Sequence, residues 1–174
     1  MAVALPTFTE RLRLEPIGAA HVDDMAEMLA DPQVAATMAG VRDRAWTEER
    51  TLVHAERWAA DGFGLWAAYS REDNGFVGRG GIQHTTLEGE DVVEVGWCLP
   101  PNRWDHGYAT EIGRAGLDLG LHELGLPEVV AFTQPFNEAS LAVMRRLGMT
   151  YQRDCMHVDL PHVVYAMGQL TRTA

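Results

Sequence analysis

A chain of 174 residues, 47% hydrophobic and 22% charged, has the makings of one globular domain that buries a core without disulfide staples. Twenty-five acids against 14 bases leave a net charge of −11, which argues against a nucleic-acid partner, and no apolar run approaches the roughly 20 residues of a membrane helix. Cys98 and Cys155 show neither metal spacing nor a disulfide framework, and the opening MAVALPTFTE lacks the basic lead of a signal peptide, so a cytoplasmic setting is expected.

All 14 bases are arginine. Codon usage is the simple account; the alternative is a negative field that draws in a cationic amine. In chain order, residues 11–15 alternate charge with Leu12 and Leu14, the pattern of a half-buried first strand. A helix is expected over residues 20–30, with Val22, Met25 and Leu29 on one stripe. Residues 31–46 read as irregular. A second helix is expected from Thr47 as N-cap, with Glu48 and Glu49 complementing its dipole, to a stop at Gly62.

The period then changes. Residues 63–70 and 76–84 flank Asn74-Gly75, a hairpin signal, and a turn at Glu88-Gly89-Glu90 leads into a strand over 92–99. In that strand Val93, Val95, Trp97 and Leu99 share one face; Val92, Glu94, Gly96 and Cys98 share the other. A helix follows from Tyr108 to about Leu124, a strand over 129–133, and a helix from Asn137 to Leu147 ended by Gly148. Strands near 149–153 and 163–169 close the chain as a hairpin across 154–162. The order β-α-α-β-β-β-α-β-α-β-β describes a single mixed α/β domain over residues 1–174, with a mainly antiparallel central sheet of about seven strands and about four helices.

The segment WCLPPNRWDHGYAT, residues 97–110, carries the chemistry. Pro100 and Pro101 end the strand because they cannot donate to its ladder. The following helix starts at Gly107 and Ala109, where unpaired N–H groups and the helix dipole favour an anion such as a pyrophosphate. Gly113, Gly116 and Gly120 share one face of that helix, which suggests close approach to the sheet.

With these pieces in order, VVEVGWCLPPNRWDHGYATEIGRAGLDLGL resembles motif A of the GNAT acetyltransferase superfamily, especially its ribosomal-protein N-terminal (Rim-type) branch. LPEVVAFTQPFNEASLAVMRRLGMTYQRD is similar to that branch's fifth strand and Asn-x-x-Ser helix, and TERLRLEPIGAAHVDDMAEMLADPQV to its first strand and helix. The resemblance implies an N-acetyltransferase that takes acetyl-CoA as cosubstrate and a primary amine, protein N-terminus or small molecule, as acceptor. It implies pyrophosphate binding by Trp104, Asp105, His106, Gly107, Tyr108, Ala109 and Thr110. Trp104 stands where the family has Gln or Arg. Main-chain groups of Trp97, Cys98 and Leu99 would pair with the pantetheine arm as an added strand, and Asn137 would contact the same arm. A homodimer is also implied, with the last hairpin (Val163, Val164, Tyr165, Met167) as its surface, unless those residues are core.

Acetyl transfer needs a neutral amine, a stabilised oxyanion and a proton for the leaving thiolate. Met144 occupies the position where many GNAT enzymes place a tyrosine acid. Ser140 could supply that proton instead, or only hydrogen-bond its own helix start. Glu94 is the first choice of base, against a structural ion pair; His84, whose ordinary pKa is near 6.5, is the second. Cys98 has no basic helper and is not a nucleophile candidate. No metal is expected: His157 and His162 could meet across the last hairpin, but no third ligand is spaced to join them. Met38 and Trp46 fall where the family closes its acceptor pocket. An acyl-CoA-binding module without catalysis, and an enzyme using a larger acyl group, are the alternatives.

Overall fold

The computed structural model describes residues 6–38 and 40–168. Strands β1 (Thr7–Phe8), β2 (Leu12–Pro16), β3 (Leu65–Ser70), β4 (Phe76–Leu87), β5 (Glu90–Cys98), β6 (Glu128–Thr133), β7 (Thr150–His157) and β8 (Leu160–Gly168) form one sheet in the order β1-β2-β3-β4-β5-β6-β8-β7. Every neighbouring pair is antiparallel except β5 and β6. The helices are α1 (Val22–Ala30), α2 (Pro32–Ala35), α3 (Arg44–Asp61), α4 (Tyr108–Asp118), which runs on through a π turn over Leu119–Glu123, and α5 (Glu138–Arg146). The expected mixed, mainly antiparallel architecture is present, with two short elements more than the sequence announced. β1 pairs with β2 across a turn closed by the Thr9 hydroxyl. α2 is set by Asp31, whose carboxylate accepts from the Gln33 N–H at 2.7 Å, with Pro32 in the first helical position.

β4 and β5 run further into their turn than expected, to Leu87 and from Glu90, and two other boundaries differ more. The N-cap of α3 is Asp43, whose side chain accepts from the Trp46 N–H at 2.8 Å. Thr47 lies a turn inside, buried, with its hydroxyl donating to the Asp43 carbonyl. Asp and Thr both make good caps, and the start falls to whichever leaves the next turn's apolar face inward. The last hairpin turns on Val158 and Asp159, both at positive φ (50° and 59°), so its strands extend well into residues 154–162. No glycine or asparagine marks that turn, which is why a longer loop was expected.

Apolar alternation along the strands feeds both faces. On one, Leu12, Leu14, Val77, Ile82 and Val95 pack with Ile112 and Leu117 of α4 and Leu141 and Met144 of α5. On the other, Ile17, Leu65, Ala67 and Cys98 meet Met25, Met28 and Leu29 of α1, with Met38 and Trp46 at the margin. The glycine spacing of α4 has the expected cause. A Cβ at Gly113 would stand 3.0 Å from the Trp97 indole, one at Gly116 3.0 Å from Val95, and one at Gly120 2.9 Å from Val129. The helix therefore lies against β4 and β5, with its π turn over β6, which fixes where its N-terminus points. Val164 is buried, and Val163, Tyr165 and Met167 pack against the core. Of the side chains expected to offer a dimer surface, Val164 is thus spent inside, and the other three are half-buried.

Candidate active site

β5 is fully paired with β4, but it meets β6 at one register position only, Glu94 opposite Val130. Beyond it the two parallel strands diverge, which leaves the β6-facing edge of residues 95–98 without a partner strand. An open edge of this kind is a template for an extended ligand. The side chains on it are already committed: Trp97 lies under α4 and Cys98 is buried toward α1. Only main chain is on offer there. The Leu99 carbonyl is already taken by the Trp104 indole N–H at 2.8 Å.

The chain leaves β5 at Pro100, makes a 3-10 turn over Pro101–Arg103 and reaches α4 through Asp105 (φ 61°) and Gly107 (φ 78°), the N-cap. The first helical bond runs from the Glu111 N–H to the Gly107 carbonyl. No backbone N–H of residues 105–110 has an acceptor among the described residues. These donors gather at the positive end of the α4 dipole, a setting that suits a phosphate. Trp104 departs from the expected set, since its N–H is spent on the Pro101 carbonyl; its indole locks the loop to the strand end.

A brace that the sequence did not announce holds this cradle. The Arg11 guanidinium bonds Glu111 Oε2 (2.7 Å) and the His106 carbonyl (2.8 Å), and lies 4.7 Å from the Tyr108 ring centroid. Glu111 also accepts from the Thr9 hydroxyl and the Arg11 N–H. Partial burial would raise its carboxyl, but these donors hold it below its ordinary value. The partners are about a hundred residues apart, beyond any local pattern.

Glu94 sits at the vertex of the splay, half-buried. Gln83 donates to its Oε2 at 3.4 Å, and a Cβ added at Gly96 would meet only its Oε1, at 3.5 Å, so the space over Gly96 is otherwise open. Burial pushes the carboxyl up to about 7, against the Gln83 hydrogen bond and the Arg79 charge. It makes no ion pair within 4.0 Å among the described residues. His84, the second choice of base, is not brought to it. Gln83 and Glu94 share one face, so His84 points to the other, exposed and against Phe63 with ring centroids 5.1 Å apart.

Across the splay, Asn137 caps α5: its Oδ1 accepts from the Ser140 N–H (3.2 Å) and its Nδ2 donates to Thr133 Oγ1 (3.0 Å). One amide N–H is left over. The Ser140 hydroxyl makes no hydrogen bond among the described residues. Met144 is core. Trp46 is flanked by the guanidinium groups of Arg42 (4.6 Å) and Arg50 (5.5 Å). Burial also pushes the Cys98 thiol up, with Arg79 pulling the other way, so it is a poor nucleophile. His157 and His162 do meet, with ring centroids 5.5 Å apart, and Phe132 packs against both.

Residues 11–150 match the family model described as an acetyltransferase (GNAT) domain. The uncharacterized protein YkkB of Bacillus subtilis is 31% identical over 135 residues, 78% of each chain. The FsC-acetyl coenzyme A-N(2)-transacetylase of Aspergillus fumigatus is 33% identical over 162 residues, 85% of this chain and 66% of that one. Among solved structures, an acetyltransferase from Agrobacterium tumefaciens superposes with a TM-score of 0.83 at 29% identity, covering 97% of this chain and 98% of its own. The ribosomal L7/L12 α-N-protein acetyltransferase RimL, solved with coenzyme A, shares the fold at a TM-score of 0.74 and 14% identity, over 94% of this chain and 97% of its own.

Proposed function

The chain belongs to the GNAT acetyltransferases and is an N-acetyltransferase, and from that premise we propose that it moves acetyl from acetyl-CoA to a primary amine by direct attack in a ternary complex, with Glu94 as general base. The free amides of residues 105–110 hold the pyrophosphate. Trp97 and Cys98 pair their main chain with the pantetheine arm, and the spare Asn137 amide N–H reaches it from α5. Leu99 contributes less than expected, because its carbonyl is occupied.

Glu94 accepts the proton of the attacking amine through a water. The nitrogen–carbon bond forms, the carbon–sulfur bond breaks, and the departing thiolate takes a proton from Ser140 or water. A carboxyl poised at about 7 suits this task, since it is charged enough to accept and basic enough to pull. The observation that carries the reading is the position of Glu94 at the single contact of β5 and β6, with open space over Gly96 beside it.

The test is thiol release from acetyl-CoA against peptide N-termini, polyamines, aminoglycosides and small metabolite amines. Turnover with at least one class is expected. Coenzyme A binding without thiol release from any amine would replace the enzyme by an acyl-CoA-binding module. Turnover only with longer acyl-CoA would move the reading to a larger acyl group.

A further inference from the structure

The surface beside Glu94 is positively charged, in a chain whose net charge is −11. In register, β4 and β5 set Gly81 opposite Gly96, with the Arg79–Cys98 pair on one side and the Gln83–Glu94 pair on the other. Gly96, where an added Cβ would meet only Glu94, leaves a bare patch of sheet between a guanidinium and a carboxylate. The two are close enough to feel each other's charge, yet they form no ion pair.

Arg79 is held from above by α3. Its Nη1 lies 3.4 Å from Nε2 of His54, which is 6% exposed. Arg50 and Arg57 stand about one turn to either side on the same helix, and Arg57 reaches Gln83 Oε1 at 3.4 Å. Burial first, and then these three arginines, drive the His54 pKa down to about 3, so its ring stays neutral and offers Arg79 a lone pair, not a counter-charge. Arg79 also meets the Cys98 thiol, a weak acceptor. Its Nε is fully buried and has no hydrogen-bond partner among the described residues.

A half-buried guanidinium with a buried, unsatisfied donor and no carboxylate within 4.0 Å among the described residues is costly unless something else completes it. We propose that Arg79 is the acceptor-recognition residue and that the amine substrate carries a carboxylate, which Arg79 binds while the amine lies over Gly96 toward Glu94. The inference rests on the reading of Glu94 as the base that faces the acceptor. A substrate with amine and carboxylate close together matches a site with carboxylate and guanidinium across a bare patch. Polyamines and aminoglycosides, cationic throughout, meet Arg50, Arg57 and Arg79 with like charge. The local field here opposes the attraction of cations that the net charge suggested.

Steady-state thiol release from acetyl-CoA, compared between amino acids, their carboxamides, aminoalkyl phosphates and a polyamine, tests the proposal. The wild type is expected to favour each amino acid over its carboxamide by about 10- to 100-fold in kcat/KM, the range of a charge-assisted hydrogen bond. In Arg79→Met that ratio falls to near one, mainly through the acceptor KM. In Arg79→Lys, which keeps the charge but loses the fork, it is intermediate. Should the Met variant fail to fold, as judged by its melting curve, the Lys variant carries the test. Equal or better turnover of carboxamides or polyamines by the wild type overturns the proposal. So does an Arg79→Lys ratio equal to wild type, or a preference for the aminoalkyl phosphate. Thiol release from none of these amines or the broader panel would instead sink the acetyltransferase reading itself, and Arg79's role with it.

Discussion

The two sides of the splay are built on different plans. On the α4 side, the cradle of residues 105–110 is main chain: a proline stop, a left-handed Gly107 and six N–H groups in a run of one loop and one helix turn. On the α3 side, the surface around Glu94 is made of side chains from three elements, with Arg79 and Gln83 from β4, Glu94 from β5 and His54 from α3. Backbone donors depend on φ and ψ and hardly on the neighbours' identity, whereas a side-chain site changes with any one residue. The first plan suits a ligand that is the same in every member of a family. The second suits an acceptor that differs between members.

The contrast breaks most severely at Gly107. Valine there cannot adopt φ 78° without strain and would reorient the free amides, so Gly107→Val should lose coenzyme A binding by calorimetry while its far-UV circular dichroism stays near wild type. Unchanged affinity would remove the cradle assignment.

The acceptor side is the next to yield. Glu94→Gln should lower kcat on the order of 10²-fold, the usual size of a general-base contribution, with KM for acetyl-CoA hardly moved. Wild-type kcat should rise with pH through a midpoint near 7, because the base works only when deprotonated, and that limb should vanish in the Gln variant. Normal turnover would leave proximity of amine and thioester as the source of acceleration. Ser140→Ala should cost less, under about 10-fold, because thiolate is a tolerable leaving group and water can replace the hydroxyl.

The smallest effect is on stability and sharpens the comparison from the other direction. The folded-state pKa of Glu94 lies above its ordinary value of 4.5, so the protonated form is the one the fold favours. Its stabilising contribution is complete below about pH 4.5 and is lost as pH rises through about 7. Water reaches this half-buried group, so the change is on the order of 2 kcal/mol or less. Glu94→Gln should therefore flatten denaturant-measured stability between pH 5 and 8 and leave the variant more stable than wild type at pH 8, while its turnover falls. A variant less stable than wild type at pH 8 would mean that Glu94 is mainly structural.

Legibility in the sequence follows the same division. The order of the main elements, the stops at Gly62 and Gly148 and the close face of Gly113, Gly116 and Gly120 all read correctly, since each is set by residues within a few positions. Thr47 as N-cap and the loop across residues 154–162 did not, because local signals competed or were missing. His84 lies on the opposite face of its strand from Gln83 and so points away from Glu94, a consequence of period-two alternation across the β4–β5 register. The Arg11–Glu111 brace joins elements about a hundred residues apart and leaves no trace in spacing.

By itself the sequence determined the strand, proline stop and glycine helix start of the proposed cradle, because unpaired amides at a helix end follow from local backbone conformation alone. Only the tertiary structure decided that β5 and β6 part just after Glu94, that Gly81 faces Gly96, and that Arg79 lies beside them with no ion pair among the described residues. Those facts depend on strand register and on α3 packing over the sheet. They are sums of many weak contacts between distant residues, and no single stretch of chain encodes them.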